Sequence, residues 1–353
     1  MTRVRTALPP SDLPPFPLPL FVLPVLGLAL WPSSARSEDF RLRLPLACEP
    51  GVTCFVQHYV DRDPGSGARD YACGSRTYDG HDGTDFRLPT LAQEAGPAGT
   101  VLAAAAGRVL RTRDDAPDVS VRETGLGAVA GVECGNGLVI GHAGGYETQY
   151  CHLARGSLTV RPGDTVEAGQ RLGRVGLSGA SEFPHLHLTL RRAGRTVDPF
   201  APETGSGGCS PAAGPSADSL WEPALREGLA YRAGTVLNAG FSSGPVRMEV
   251  IESGTVGAAG PAGPALVAFV RAIGLDAGDV QSLVLSGPDG RPIAQSEEAP
   301  LARPRAQSLV FVGRKRPEAG FPPGVYTATF RVLRAGKPAL AHSFSMELPA
   351  LNR

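Results

Sequence analysis

Lysine is nearly absent from this 353-residue chain, occurring only as Lys315 and Lys337, and 34 Lys+Arg are balanced by 34 Asp+Glu. The resulting formal charge of zero removes the electrostatic footprint of a nucleic-acid binder, so no nucleic-acid partner is expected. Cysteine is sparse as well. Six residues are too few for a disulfide scaffold, and the absence of any Cys-x-x-Cys pair argues against a thiolate metal site. After the first thirty residues no apolar run is long enough to cross a bilayer. Glycine (45) and proline (33) are plentiful, yet together they stay below the roughly 25–30% that marks low-complexity disorder. With 42% hydrophobic residues a core is feasible, and at about 150 residues per domain the length suggests two domains plus appendages.

The N-terminus reads as an export signal. Arg3 and Arg5 precede a proline-interrupted apolar run ending at Leu30, and Ser33, Ser34 and Ala35 supply the small residues of a cleavage site. Residues 1–35 are therefore expected to be a signal peptide, because the run is shorter than the roughly 20 residues of a membrane anchor. Export places the cysteines in an oxidising compartment, the periplasm, the cell envelope or the medium.

Residues 36–200 read as short β segments punctuated by glycine, with few amphipathic helices, which predicts an all-β, antiparallel domain. Residues 201–219, dense in Gly, Pro, Ser and Ala, read as a linker. From 220 to 353, period-2 runs such as Tyr326 to Leu333 and Ala341 to Leu348, with a turn at Pro288-Asp289-Gly290-Arg291, predict a small β-sandwich of immunoglobulin-like type.

Five of the seven histidines lie between His81 and His187. His81 and Asp85 are four apart in a segment where Gly80 and Gly83 disfavour a helix, so an extended strand brings both to one face as a pair of zinc-ligand type. In Pro184-His185-Leu186-His187-Leu188 the two imidazoles share one side of a strand while the leucines face packing. Side by side they would repel if both were protonated, and a metal held by one relieves that conflict. His152 ends the second arm of a hairpin formed by residues 137–141 and 146–150, a position that projects into a cleft. Three ligands of the His/Asp/His type leave a fourth tetrahedral position for water, and two further histidines would remain for proton transfer and for the oxyanion.

The ordered set His81-x-x-x-Asp85, Tyr150-x-His152-Leu153, the glycine-spaced stretch from Val160 through Gly163-Asp164, Gly169-Gln170, Gly173 and Gly176 to Ser178-Gly179, and Pro184-His185-x-His187 closely resembles the lysostaphin/LytM-type zinc endopeptidases over about Tyr78 to Pro199. The resemblance implies a two-sheet fold with an open groove, one zinc ion per chain, and cleavage of peptides in peptidoglycan. By position it implies that His81, Asp85 and His187 bind zinc, with His185 as general base and His152 orienting water or stabilising the oxyanion. Neutral imidazoles are needed in those roles, so activity is expected to fall in mild acid. A catalytically silent relative that binds and activates other wall hydrolases is the alternative, although such relatives typically lack ligands that this chain has.

The acidic loop carrying Asp114, Asp115 and Asp118 is expected to be solvated or to wall the groove, and His58, His142 and His342 to be structural or surface residues. Six cysteines allow fifteen pairings. Cys134 and Cys151 stand on opposite arms of the hairpin and are placed to meet; Cys48 and Cys54 are placed to close a small loop; Cys73 and Cys209 are then bridged or free. The C-terminal domain offers no cluster of ligands and is expected to dock on the groove, a wall component or a protein partner.

Overall fold

In a computed structural model the described residues are 39–202, 208–211 and 215–350; the expected signal peptide and part of the expected linker lie outside them. Among the described residues no helix is long and apolar enough to cross a membrane.

The first half is built from ten strands: β1 (Phe55–Val56), β2 (Thr84–Arg87), β3 (Thr100–Leu102), β4 (Gly107–Arg113), β5 (Asn136–Gly141), β6 (Tyr146–Leu153), β7 (Thr165–Val166), β8 (Arg171–Arg174), β9 (His185–Arg192) and β10 (Arg195–Thr196). Eight of them form one antiparallel sheet in the order β1-β2-β9-β6-β5-β4-β7, with β10 paired to β9, while β3 and β8 form a second, two-stranded layer. The expected hairpin is β5–β6, and strand alternation decides which face it serves. Phe86, Tyr150, Leu186, Leu188 and Leu190 point to one side, where they pack with Val101 and Leu172 of the small layer into a single buried cluster. The residues between them, Asp85, Arg87, His185 and His187, necessarily face the other way.

Residues 220–231, at the head of the expected second domain, pack into this first cluster: Trp221 is fully buried against Phe86 and Phe200, and Leu229 joins it. The cysteines are paired Cys48–Cys54, Cys73–Cys209 and Cys134–Cys151. The second of these ties the described end of the linker back to the first half, where the Ser210 amide also donates to the Tyr71 carbonyl at 2.9 Å.

The C-terminal half contains β11 (Thr235–Ser242), β12 (Ala265–Leu275), β13 (Val280–Ser286), β14 (Pro292–Glu297), β15 (Arg305–Lys315), β16 (Gly324–Arg334) and β17 (Lys337–Leu348). They form sheets β11-β12-β15 and β14-β13-β16-β17, which share one apolar core. In immunoglobulin lettering these are A-B-E and C′-C-F-G. Tyr326, early in the F-equivalent strand, donates its hydroxyl to the Pro322 carbonyl at 2.8 Å, the tyrosine corner of such sandwiches. The turn at Pro288 to Arg291 joins β13 to β14 as the sequence predicts. Among the described residues there are two short α-helices, α1 (Val121–Thr124) in the acidic loop and α2 (Met248–Ser253) between β11 and β12.

Candidate metal centre

Strand register assembles the site. In the β2–β9 pairing Asp85 lies opposite His187 and Arg87 opposite His185, and in the β6–β9 pairing Cys151 lies opposite His187. His81 enters from the turn before β2. Gly83 makes this entry possible, because a Cβ there would sit 2.6 Å from the His187 Nε2 atom and 2.8 Å from the Leu188 carbonyl.

Three donor atoms converge. His81 Nε2 lies 3.2 Å from Asp85 Oδ1 and 3.2 Å from His187 Nδ1, and His187 Nδ1 lies 2.9 Å from the same Asp85 oxygen. These side chains are the cluster of His, Cys, Asp and Glu that could hold a metal ion among the described residues. Each has its outer atom engaged. His81 Nδ1 donates to the Tyr59 carbonyl at 2.7 Å, His58 Nδ1 donates to Asp85 Oδ2 at 2.9 Å, and His187 Nε2 meets Asp82 Oδ1 at 3.1 Å and Thr189 Oγ1 at 3.0 Å. An imidazole whose outer N–H is committed presents its other nitrogen as a lone pair. Two such lone pairs and a carboxylate oxygen therefore face one point. Bonds of 2.0–2.2 Å to a tetrahedral zinc would space the donors about 3.3–3.5 Å apart, close to the separations found, so the residues fit the ion.

Burial opposes the charged form of His187, but hydrogen bonds to Asp82 and Asp85 outweigh it and raise its pKa to about 9. Burial likewise opposes ionisation of Asp85, yet His81, His185, His187 and His58 together hold its carboxyl well below the ordinary range.

The other two predicted histidines stand beside this point. His185 Nε2 lies 3.7 Å from Asp85 Oδ1, and the His152 ring is centred 4.7 Å from that of His185 and 5.9 Å from that of His187. Both outer nitrogens are committed to backbone: His152 Nδ1 donates to the Ser178 carbonyl at 2.8 Å, and His185 Nδ1 to the Phe183 carbonyl at 2.8 Å. Both Nε2 atoms are then lone pairs. His152 adopts φ +64°, a left-handed conformation that costs about 1–3 kcal/mol outside glycine and persists only when over-determined by its surroundings. Here the Cys134–Cys151 bridge and the bond from the His152 amide to the Cys134 carbonyl at 2.9 Å supply that constraint. Opposite them Gly179, at φ +74°, lies where a Cβ would come 2.2 Å from the Glu133 carbonyl, so this loop closes only around glycine.

Burial lowers the His185 pKa to about 4, and burial with its imidazole neighbours lowers that of His152 well below the ordinary value. The loss of activity expected in mild acid therefore moves below about pH 5. A second revision concerns His58, read in the sequence as structural or surface, which the structure brings onto Asp85. Asp82 and Arg191 also escaped the sequence reading; Arg191 donates to Asp82 at 2.8 Å and to Gln149 at 2.6 Å. The alternation that singles out His187 also puts Arg191 on its side of β9, a usable signal, whereas nothing local marks His58. The acidic loop is structural: Asp114 accepts from the Leu158 amide and Asp118 from the Leu177 amide, while the Val121 amide donates to the Ser181 carbonyl. A cleft of about 210 Å³ opens over the cluster, lined among others by His81, Asp82, His152, His187 and Arg191.

Residues 79–199 match the family model described as Peptidase family M23. This stretch, which contains all five predicted residues, is similar to that family, the one the resemblance pointed to. The chain is similar to the peptidoglycan DD-endopeptidase ShyA of Vibrio cholerae serotype O1, with 34% identity over 33% of this chain and 22% of that protein. It is also similar to the DD-carboxypeptidase/endopeptidase Mpg of Neisseria meningitidis serogroup B, with 35% identity over 33% of this chain and 23% of that protein. The matches span about a fifth of the length of these relatives. Among solved structures, the catalytic domain of the prophage-encoded M23 protein EnpA from Enterococcus faecalis aligns at 23% identity over 48% of this chain and 98% of that one, with a TM-score of 0.31.

Proposed function

We propose that this protein is an exported zinc metalloendopeptidase that hydrolyses peptide bonds in peptidoglycan stem peptides or cross-bridges, in the periplasm or cell envelope. The observation that carries the reading is the convergence of the His81 and His187 lone pairs and the Asp85 carboxylate on one point, with every outer atom occupied. In this reading those three residues are the metal ligands, and a bound zinc ion supplies Lewis-acid polarisation and activation of a water. His185 Nε2 takes the proton of the attacking water and later returns one to the leaving amine, because its Nδ1 proton is fixed on the Phe183 carbonyl. His152, fixed in the same tautomer by the Ser178 carbonyl, orients the water or stabilises the charge that develops on the carbonyl oxygen. Both stay neutral at working pH through burial. The relatives named for D,D bonds make that bond the first substrate to test.

The complete ligand set weighs against a silent activator of other hydrolases. Release of soluble peptides from purified peptidoglycan, its loss with a chelator and its return with zinc, is the deciding experiment. Binding to a partner hydrolase with no release by the zinc-loaded chain would reverse the conclusion.

A further inference from the structure

Arg87, two residues beyond Asp85 on β2, is completely buried and has no role in the centre described above. Its guanidinium reaches the C-terminal half, donating to Glu252 Oε2 of α2 at 2.8 Å and to Gln307 Oε1 of β15 at 3.2 Å. Arg271 of β12, equally buried, donates to the same Glu252 oxygen and to the Pro89 carbonyl that follows β2. One carboxylate of the sandwich thus holds two arginines, one from each half. Burial lowers the Arg87 pKa to about 9, and Glu252 is the group that most opposes this loss.

A buried ion triad is a poor device for stability alone, since well-packed apolar residues of similar volume do as well or better. What Arg87 does on its other side gives the triad a use. The guanidinium lies 4.0 Å from the centre of the Phe183 ring. That ring is centred 4.8 Å from the His185 imidazole, and the Phe183 carbonyl is the acceptor that commits His185 Nδ1. Arg87 and His185 are also direct cross-strand partners. A continuous chain of contacts therefore runs from a sandwich carboxylate, through a guanidinium and a phenyl ring, to the imidazole beside the metal centre.

We propose that Glu252 is a positioning residue for His185, acting through Arg87 and Phe183, so that the C-terminal sandwich is a working part of the active site. This rests on the reading of His185 given above. The charge of Glu252 keeps Arg87 inward, Arg87 fixes the Phe183 ring through its face, and Phe183 holds the imidazole by ring and carbonyl together.

The test uses the full-length, zinc-loaded chain with nitrogen-15 in its histidines. In the wild type the His185 nitrogens should report a single tautomer protonated at Nδ1. Glu252→Gln and Phe183→Leu should each draw both shifts toward the values of exchanging tautomers. Each should also lower kcat on peptidoglycan peptides by about 10- to 100-fold at unchanged KM, the range for loss of an outer-shell partner. Phe183→Leu keeps the carbonyl and both ion pairs, so it decides the matter if Glu252→Gln fails to fold. A wild-type His185 spectrum in Phe183→Leu overturns the proposal, as does a Glu252→Gln chain that melts earlier but keeps the wild-type spectrum and kcat. Because the spectrum needs no substrate, it judges the relay even if the chain proves not to be a peptidase.

Discussion

The two halves of the described chain are both antiparallel β-structure, but the buried groups of the metal centre are arranged differently from the buried charges of the sandwich. In the C-terminal sandwich the core cluster is apolar almost throughout, and the charges it hides meet opposite charges: Asp279 receives Arg334 at 2.7 and 2.8 Å, and Glu252 receives Arg87 and Arg271. On the open face of the large sheet, buried imidazoles and a carboxylate point their lone pairs at one another. Buried polar groups are normally paired because leaving them unpaired costs free energy. Where opposite charges meet, the pairs hold the fold and its side chains in place; where lone pairs and a carboxylate oxygen converge on one point, the arrangement suits a cation. The comparison marks the metal centre without reference to any relative and leaves the sandwich in the supporting role proposed for Glu252.

The sharpest way to break that contrast is His81→Ala. Zinc content should fall from about one per chain toward none, and peptidoglycan cleavage with it, because two remaining ligands make a poor zinc site. Metal analysis alongside peptide release reads both, and full zinc content in the variant would remove His81 from the ligand set. His185→Ala comes next. It should lower kcat by about 10²–10⁴-fold, the range for a lost general acid–base, while zinc stays bound. Parallel loss of zinc would make His185 a ligand instead.

The sequence declared the five central residues because each sits in a local pattern with chemical meaning: His81 and Asp85 at an even spacing, His185 and His187 on one side of a leucine strand, His152 at a hairpin end. Strand alternation made the two faces of β9 legible for the same reason. Partners joined only by folding were not legible. His58 reaches Asp85 across 27 residues, and Glu252 reaches Arg87 across 165, with no periodicity linking either pair. Trp221 follows the expected linker, but burial against Phe86 and Phe200 draws it into the first core, and a lone aromatic after a glycine-rich stretch carries no sign of which side it will join.

Acid should expose the contrast less drastically. The folded-state pKa of His185 lies at about 4, below its ordinary 6.5, so the neutral form persists in the folded chain while the unfolded chain takes up a proton. Between those values the unfolded state binds more protons, hence stability declines as pH falls through the window and the contribution is flat above it. Activity at constant folded fraction and saturating zinc should hold from about pH 8 to 5 and drop only below, where His185 takes up a proton. A midpoint near 6.5 would mean that His185 titrates as a solvated group.

The smallest effect belongs to the sandwich. Tyr326→Phe deletes only the hydroxyl donated to the Pro322 carbonyl and leaves the ring in its core. Its expected cost is about 0.5–1.5 kcal/mol, the net worth of one such bond, read as an earlier denaturant midpoint at an unchanged m-value. Zinc content and kcat should remain at wild-type levels, since Tyr326 lies outside the contacts that link Glu252 to His185. A variant that kept its stability but lost activity would show that this corner of the sandwich, as well as the Glu252 contacts, bears on the centre.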